Sequence, residues 1–202
     1  MLDESTDSVG YFRLVREATN RNREYAANSA HLSHVHIHLF ASPMSNATAP
    51  QLELFRRVVT GIDEAGQSTV IYDDSKGHIL DAPNGVRFQT LWLTDTVPAD
   101  CSTNTQTDPT LHKGFDVANV EGASVVYVTL PAGVSVPKHK TPSIDFGVVI
   151  KGEVELIMES GSPILLKTGR DVVVQRETQH AWYNPHPTDP AIVFFSVVAS
   201  KQ

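Results

Sequence analysis

From Leu54 onward, the apolar residues occur in short runs about ten residues apart, separated by turn-forming residues. β-Branched residues dominate these runs, and no long 3.6-residue pattern of the kind that predicts a helix appears after residue 54. The runs predict the strands FRRVVTG, QSTVIYD, GVRFQTLWLTD, ASVVYVTLPAG, DFGVVIKG, EVELIMESG, SPILLKTG, RDVVVQR and AIVFFSVVAS. Short strands at this spacing predict an all-β sandwich or barrel, and periodicity alone does not choose between them.

Three of the runs allow local predictions. The first two runs flank IDEAG, so we expect a hairpin closed by a glycine-containing loop. Arg56 and Arg57 in the first run are expected to be surface charges. In the third run, Phe88 and Trp92 are an even number of residues apart, which predicts that they share one face of the strand.

The first 50 residues differ from the rest of the chain. Apolar residues within 11–28 fall at helical spacing with arginines between them, which predicts an amphipathic helix. We therefore divide the chain into an N-terminal extension, residues 1–50, that is partly helical or disordered, and an all-β domain, residues 51–202. An alternative is that Met44 is the natural start.

Length, charge and composition limit the classes of protein to which this chain can belong. A chain of 202 residues with 41% hydrophobic residues fits one domain with a real core. The net charge of -7 argues against nucleic acid as a partner, because such a chain repels phosphate backbones. The single cysteine, Cys101, excludes an intrachain disulfide. No apolar run suits a membrane helix and the N-terminus is acidic, so we expect a cytoplasmic protein without membrane association.

Two glycine-led segments contain the residues that suggest chemistry. The first runs from Gly133 through His139 and Asp145, and the second runs from Gly169 through His180. Alternate residues of a strand share a face, so His139, Thr141, Ser143 and Asp145 point the same way if the strand is regular, although Pro142 interrupts it.

If the two segments are neighbours in a closed barrel, two imidazoles and one carboxylate converge inside it. Nitrogen and oxygen donors of this kind suit a divalent metal with open coordination positions. The alternative interpretation is that each histidine caps a turn or fills a half-buried site.

The two segments resemble the paired motifs of the cupin family, written G-x5-H-x-H-x3,4-E-x6-G and G-x5-P-x-G-x2-H-x3-N. The residues that match the two patterns are Gly133, His139, Gly152, Gly169, His180 and Asn184. The departures are Thr141 for the second His, Asp145 for the Glu, Gln175 for the Pro and Glu177 for the Gly. The resemblance implies a cupin jelly-roll barrel, the double-stranded β-helix.

A narrower resemblance covers HKTPSIDFGVVIKGEVEL and DVVVQRETQHAWYNP. These segments are similar to a subgroup of small single-domain cupins that carries His-Arg-Thr and Asp-Tyr in the first motif and Val-Gln-Arg-Gly-Thr-x-His-Ala-Trp in the second. Thr141 and Asp145 are usual there, whereas Lys140, Phe146 and Glu177 depart from the pattern. Fungal members are labelled oxidoreductases of polyketide clusters, which implies an oxidoreductase of secondary metabolism.

On this basis we expect a metalloenzyme acting on a small aromatic or polyketide-like molecule. The expected ligands of a divalent metal (Fe, Zn, Mn or Ni) are His139, Asp145 and His180, and the expected catalytic residues are Asp145 and His180. The expected substrate pocket contains Thr141, Trp182 and Trp92, with Tyr127 as a further aromatic wall.

Two rival functions and the assembly state stay open at this point. One rival is a non-catalytic barrel that binds a small molecule, with no metal or a structural one. The other is a metal-free lyase or isomerase that uses Asp145 and His180 as acid and base. Exposed barrel edges often pair, which suggests a homodimer, and the sequence does not decide it.

The remaining histidines considered as metal ligands lie outside the two motifs. His34, His36 and His38 alternate along one predicted strand and would bind metal only adventitiously. Three others lie in loop-like contexts where we expect them to be solvated, namely His78, His112 and His186.

Overall fold

The computed structural model describes residues 53–101, 107–111 and 121–201. The expectations for the N-terminal extension, for its three alternating histidines and for His112 lie outside these residues. Within them, no helix is both long and apolar enough to cross a membrane.

The described residues form strands, turns and one short 3-10 helix at Pro109–Leu111. The strands are β1 (Arg57–Ile62), β2 (Ser68–Asp74), β3 (His78–Asp81), β4 (Arg87–Thr94), β5 (Ala123–Leu130), β6 (Ser135–His139), β7 (Ser143–Lys151), β8 (Glu153–Met158), β9 (Ile164–Lys167), β10 (Val172–Arg176), β11 (His180–Tyr183) and β12 (Ala191–Ala199).

These strands form two main antiparallel sheets and a hairpin. The larger sheet has the order β10-β7-β12-β5-β4-β3, and the smaller has the order β6-β11-β8-β9. The first two strands pair only with each other, which confirms the predicted hairpin. Because β6 and β11 lie in the smaller sheet and β7 and β10 in the larger, the chain crosses between the sheets within each motif.

The core lies between the two sheets, where strands such as β7 and β12 bury alternate residues. In β12, Ala191, Val193, Phe195 and Val197 are buried, and the residues between them are half-buried. Across the core, the Trp182 ring of β11 meets the Phe195 ring edge-on, with centroids 5.5 Å apart. This arrangement is the double-stranded β-helix that the resemblance implied.

The motif glycines make the turns that reverse the chain. Gly152 joins β7 to β8 with a φ of +73°, a conformation that side chains disfavour. A Cβ atom there would also lie 3.3 Å from the Cα atom of Ala191. The first residues of the two motifs, Gly133 and Gly169, adopt a similar φ.

The prediction that Trp92 shares a face with Phe88 is wrong. A bulge shifts the register of β4 between Thr90 and Trp92, so Phe88 pairs with Val128 whereas Trp92 pairs with Val125. Phe88 lines the interior, and Trp92 packs outside it against Tyr72 of β2.

Tyr127 also lies outside the interior. Its ring stacks on that of Phe55, with centroids 3.8 Å apart, and meets the Phe194 ring edge-on. Tyr127 therefore faces away from the cavity that Val126 and Val128 line, and it is not an internal wall.

The expectation of a surface charge holds for Arg56 and fails for Arg57. Arg56 is exposed and pairs with Asp73. Arg57 is 5% exposed, bonds both carboxylate oxygens of Asp74 and forms a buried ion pair with Asp108. Its Nη1 atom also donates to the Leu91 carbonyl at 3.0 Å. Arg57 therefore ties β1 to β4 and to the segment of the 3-10 helix.

The expectations for His78 and His186 have different outcomes. His78 begins strand β3, where it is half-buried and pairs in register with Thr90, so its assignment to a loop is wrong. His186 lies in a loop, where its Nδ1 atom accepts the backbone N–H of Asp189 at 2.9 Å.

Candidate functional site

His139 and His180 lie side by side in the smaller sheet. His139 ends β6, His180 begins β11, and the two are cross-strand partners. Their ring centroids are 4.2 Å apart with an interplanar angle of 57°, and they are only 6% and 2% exposed. The antiparallel pairing of β6 with β11 thus brings the two motif histidines together at one point inside the barrel.

Both imidazoles are held in the same tautomer by the backbone. The Nδ1–H of His139 donates to the Pro137 carbonyl at 2.8 Å, and that of His180 donates to the Thr178 carbonyl at 2.8 Å. In a neutral ring, the other nitrogen, Nε2, then carries the lone pair that binds a metal or accepts a proton.

The burial of the two rings keeps them neutral. Burial lowers the pKa of His139, opposed only by its bond to the Pro137 carbonyl. Burial together with the neighbouring His139 lowers the pKa of His180 to about 3. Neutral imidazole is the form that coordinates metal ions, so no proton needs to be displaced first.

Asp145 lies in β7 and faces the same cavity. Its two carboxylate oxygens accept hydrogen bonds from the Ser143 hydroxyl at 2.6 Å and the Thr141 hydroxyl at 3.0 Å. Burial raises the pKa of Asp145, although these two hydrogen bonds act in the opposite direction. The carboxyl group therefore holds its proton at a higher pH than an exposed aspartate would.

The structure does not join Asp145 to the two histidines in a cluster of metal ligands. Across the ranges that the structure describes, no group of three or more His, Cys, Asp or Glu side chains is placed to hold an ion. The three predicted ligands, His139, Asp145 and His180, thus line one cavity. The carboxylate of Asp145 accepts hydrogen bonds from two hydroxyl groups there.

Gln175 is a site residue for which the sequence analysis gave no role. It lies in β10 directly opposite Asp145 and is 3% exposed, and its amide nitrogen lies over the ring of His180, 2.8 Å from Nε2. The same nitrogen also lies against Nδ1 of that ring. The signal in the sequence was the departure from the motif, since Gln175 stands where the family pattern has Pro.

The cavity between the sheets is small and mostly apolar. It has a volume of about 40 Å³, which is room for about three water molecules. Its polar lining consists of His139, Thr141, Asp145, Gln175 and His180. The remaining lining consists of Phe88, Val126, Val128, Leu130, Val136, Trp182, Val193, Phe195 and Val197. Thr141 and Trp182 line this cavity, and Trp92 does not.

The donor groups in this cavity fit a divalent transition metal. When two imidazole rings bind one metal ion through bonds of about 2.1 Å that are at right angles to each other, the ring centroids are about 4.5 Å apart. The rings of His139 and His180 lie 4.2 Å apart. In addition, Gln175 lines the cavity, and its buried Oε1 atom has no hydrogen-bond partner.

Comparisons with known proteins find the following similarities. Residues 126–198 match the cupin-domain family. A cupin-domain-containing oxidoreductase from Neurospora crassa is 31% identical over 67% of this chain and 69% of its own length. Phomopsin biosynthesis cluster protein C' from Diaporthe leptostromiformis is 34% identical over 77% of this chain and 84% of its own length. The solved structure of an RmlC-like cupin from Shewanella frigidimarina is 16% identical over 62% of this chain and 86% of its own chain, with a TM-score of 0.40.

Proposed function

This chain belongs to the cupin family, and on that premise we propose that it is a metal-dependent oxidoreductase of secondary metabolism. The reaction class is supported by the Neurospora crassa relative, which is named an oxidoreductase. The metabolic context is supported by the Diaporthe leptostromiformis relative, which is named for a biosynthesis cluster.

The observation that carries the proposal is the pair of neutral, backbone-oriented imidazoles. His139 and His180 would hold the metal through their Nε2 atoms, since both Nδ1 atoms donate to carbonyls. A divalent metal with open positions would polarise a substrate oxygen and stabilise negative charge that develops on it. The carbonyl bonds fix the ring orientations before any ligand arrives, which strengthens binding.

Asp145 would serve as the proton-transferring group. Its raised pKa brings it closer to neutral pH than an ordinary carboxylate, which favours exchange of a proton with substrate. Thr141 and Ser143 position the carboxyl group, because each hydroxyl bonds one of its oxygens.

The apolar wall would select the substrate. Trp182, Phe88 and Phe195 offer aromatic surface to a small aromatic or polyketide-like molecule. A volume of about 40 Å³ does not admit such a molecule as a whole. We therefore propose that a single oxygen-bearing group enters beside the imidazoles, and that side chains of the wall move apart for the rest.

The proposal is tested with protein purified without a His-tag and freed of metal by a chelator. The protein is incubated with small phenols and aromatic aldehydes, with and without Fe²⁺ or Mn²⁺, and the products are followed by mass spectrometry. Dissolved dioxygen is the oxidant. The proposal expects loss of two hydrogens, or gain of one oxygen from water, with dioxygen reduced to hydrogen peroxide, in a reaction that requires metal and is absent in His180→Ala. A redox change of equal rate without metal would contradict it.

A second candidate is a metal-free lyase or isomerase that uses Asp145 and His180. The observation that favours it is the buried Asp145, whose raised pKa favours exchange of a proton with substrate. It predicts products without a net redox change, unaffected by chelator and lost in Asp145→Asn. Binding without any turnover would instead indicate a non-catalytic small-molecule-binding cupin.

A further inference from the structure

We propose that the outer face of strands β7 and β10 is a docking surface for the β1–β2 hairpin of a second copy of this chain. In the resulting two-fold dimer, each copy contributes its own hairpin and receives the hairpin of the other. This inference goes beyond the proposed function and depends neither on a metal nor on turnover.

The outer face of β7 and β10 is apolar, whereas an antiparallel sheet with one face in the core normally has polar residues on the other. Phe146 and Val174 are cross-strand partners on this outer face, and their neighbours Asp145 and Gln175 line the cavity inside. Four outward side chains, each between 42% and 65% exposed, form the barrel patch, namely Phe146, Ile150, Val172 and Val174. Exposed apolar groups that cluster in this way mark a surface that binds another molecule.

The β1–β2 hairpin has an apolar face of its own, which points away from the barrel. On its inner face, Arg57 donates to the Leu91 carbonyl, and the Tyr72 ring lies 6.1 Å from the Trp92 ring. The opposite face carries three side chains that are 47% to 53% exposed and form the hairpin patch, namely Val58, Ile62 and Val70.

The hairpin gains more from a covering surface than a strand within a sheet would. Among the strands of the described ranges, β1 and β2 pair only with each other. A two-stranded hairpin is marginally stable by itself in water, because one of its faces finds no core to pack on. A surface that covers the hairpin patch would therefore stabilise it.

The two patches lie on the same side of the larger sheet, towards opposite ends of it. The strand order β10-β7-β12-β5-β4-β3 puts the barrel patch at one end. The hairpin contacts the outward side chain of Trp92 in β4, and Phe55, just before β1, contacts that of Tyr127 in β5. A two-fold axis parallel to β12 and between two facing sheets would place each hairpin over the uncovered strands of the other copy. The two contacts are then equivalent, and the assembly closes as a dimer.

The borders of the two patches carry opposite charge. Three bases and one acid adjoin the barrel patch, namely Lys151, Arg170, Arg176 and Asp171. Three acids and one base adjoin the hairpin patch, namely Asp63, Glu64, Asp73 and Arg56. Complementary borders favour contact between a hairpin patch and a barrel patch over contact between two like patches. A second copy of this chain supplies both surfaces at once, with the apolar core and charged rim that are typical of an interface.

The experiment measures the mass of the full chain in solution by sedimentation equilibrium over a range of concentrations. Val174→Glu puts an acid into the barrel patch and Val70→Lys puts a base into the hairpin patch, so each introduced charge meets a border of its own sign. The control is Leu165→Glu, which changes a similarly exposed side chain on β9 of the smaller sheet. Circular dichroism and urea denaturation check that each variant folds.

We expect a dimer for the parent protein and for Leu165→Glu. Val174→Glu and Val70→Lys should each raise the dimer dissociation constant at least about 100-fold, because like charges meet at a surface that excludes water. An equimolar mixture of these two variants should form dimers again, since one of its two contacts is unchanged and the other brings the introduced acid to the introduced base. Val172→Glu and Val58→Lys repeat the test if either of the first variants does not fold.

A parent protein that is monomeric up to about 100 μM would overturn the proposal. A lower free energy of unfolding in Val174→Glu than in Leu165→Glu would then assign the barrel patch to residues 1–50 of the same chain. A dimer that only Val174→Glu dissociates would overturn the pairing with the hairpin, because two barrel patches would meet instead. Failure of the mixture to form dimers, or a dimer that no variant weakens, would overturn it as well.

Discussion

The imidazoles of His139 and His180 face each other across neighbouring strands, and each is tied through Nδ1 to the carbonyl two residues before it. This repeated bond orients both rings without help from any distant side chain. The site therefore depends on two short segments, Pro137–His139 and Thr178–His180, and on the pairing of β6 with β11. Because both rings are buried in the neutral form, the stability of the protein should depend on pH.

The first prediction concerns the pH dependence of stability in the metal-free protein. The pKa of His180 is about 3 in the folded state, against 6.5 ordinarily, so between these values only the unfolded chain binds the proton. The free energy of unfolding should be at its full value above pH 6.5 and fall towards pH 3, by up to about 1.4 kcal/mol per pH unit for each such ring. Urea denaturation at several pH values measures it.

The control for this prediction is His180→Gln, which has no titrating ring at that position. Its free energy of unfolding should depend less steeply on pH between 6.5 and 3 than that of the parent protein. Parallel curves for the two proteins would show that His180 is not buried in its neutral form.

Much of the fold follows from the local pattern of the chain, and the exceptions have physical causes. The alternation of buried residues in β5 and β12 is visible in the sequence because both strands have one face in the core. Strand β6 is hard to see because SVPKH contains one aliphatic residue, Val136, and a proline. The bulge in β4 reverses the direction of Trp92, and a strictly two-residue period does not reveal it.

The site was predictable only in part, for a related reason. The spacing of the motifs located His139, Asp145 and His180, but their mutual distances depend on which strands pair. Gln175 stands in a β-branched run, VVVQR, where a polar residue is as compatible with an exposed face as with a buried one. Its contact with His180 arises because β10 lies in the larger sheet and β11 in the smaller.

The second prediction concerns the buried ion pair of Arg57 and Asp108. Removing one partner leaves the other charge buried and unpaired, so Arg57→Met and Asp108→Asn should each lower the free energy of unfolding by about 3 kcal/mol or more. The double variant should lose less than the sum, because both changes remove the same contact. Chemical denaturation of the three variants measures the coupling.

The neighbouring Arg56 provides the matched control, because it also pairs with an aspartate but is exposed. Arg56→Met should leave the stability unchanged within error. Equal effects at positions 56 and 57 would contradict the burial of Arg57.

The third prediction concerns Glu177, the residue that departs from glycine in the second motif. Its φ is +52°, a left-handed conformation that costs energy for any residue with a Cβ atom. Glu177→Gly should therefore be more stable than Glu177→Ala by about 1 kcal/mol, since alanine keeps the strain and both lose the contacts of Glu177 with Lys140 and Ser200. Thermal unfolding of both variants tests this, and a more stable alanine variant would rule it out.

The most direct test of the central claim is elemental analysis of the protein purified without a His-tag, alongside His139→Ala and His180→Ala. We predict a divalent transition metal near one equivalent per chain in the parent protein, and a large loss in each variant while circular dichroism shows an intact fold. The same metal content in all three proteins would contradict a metal site at His139 and His180.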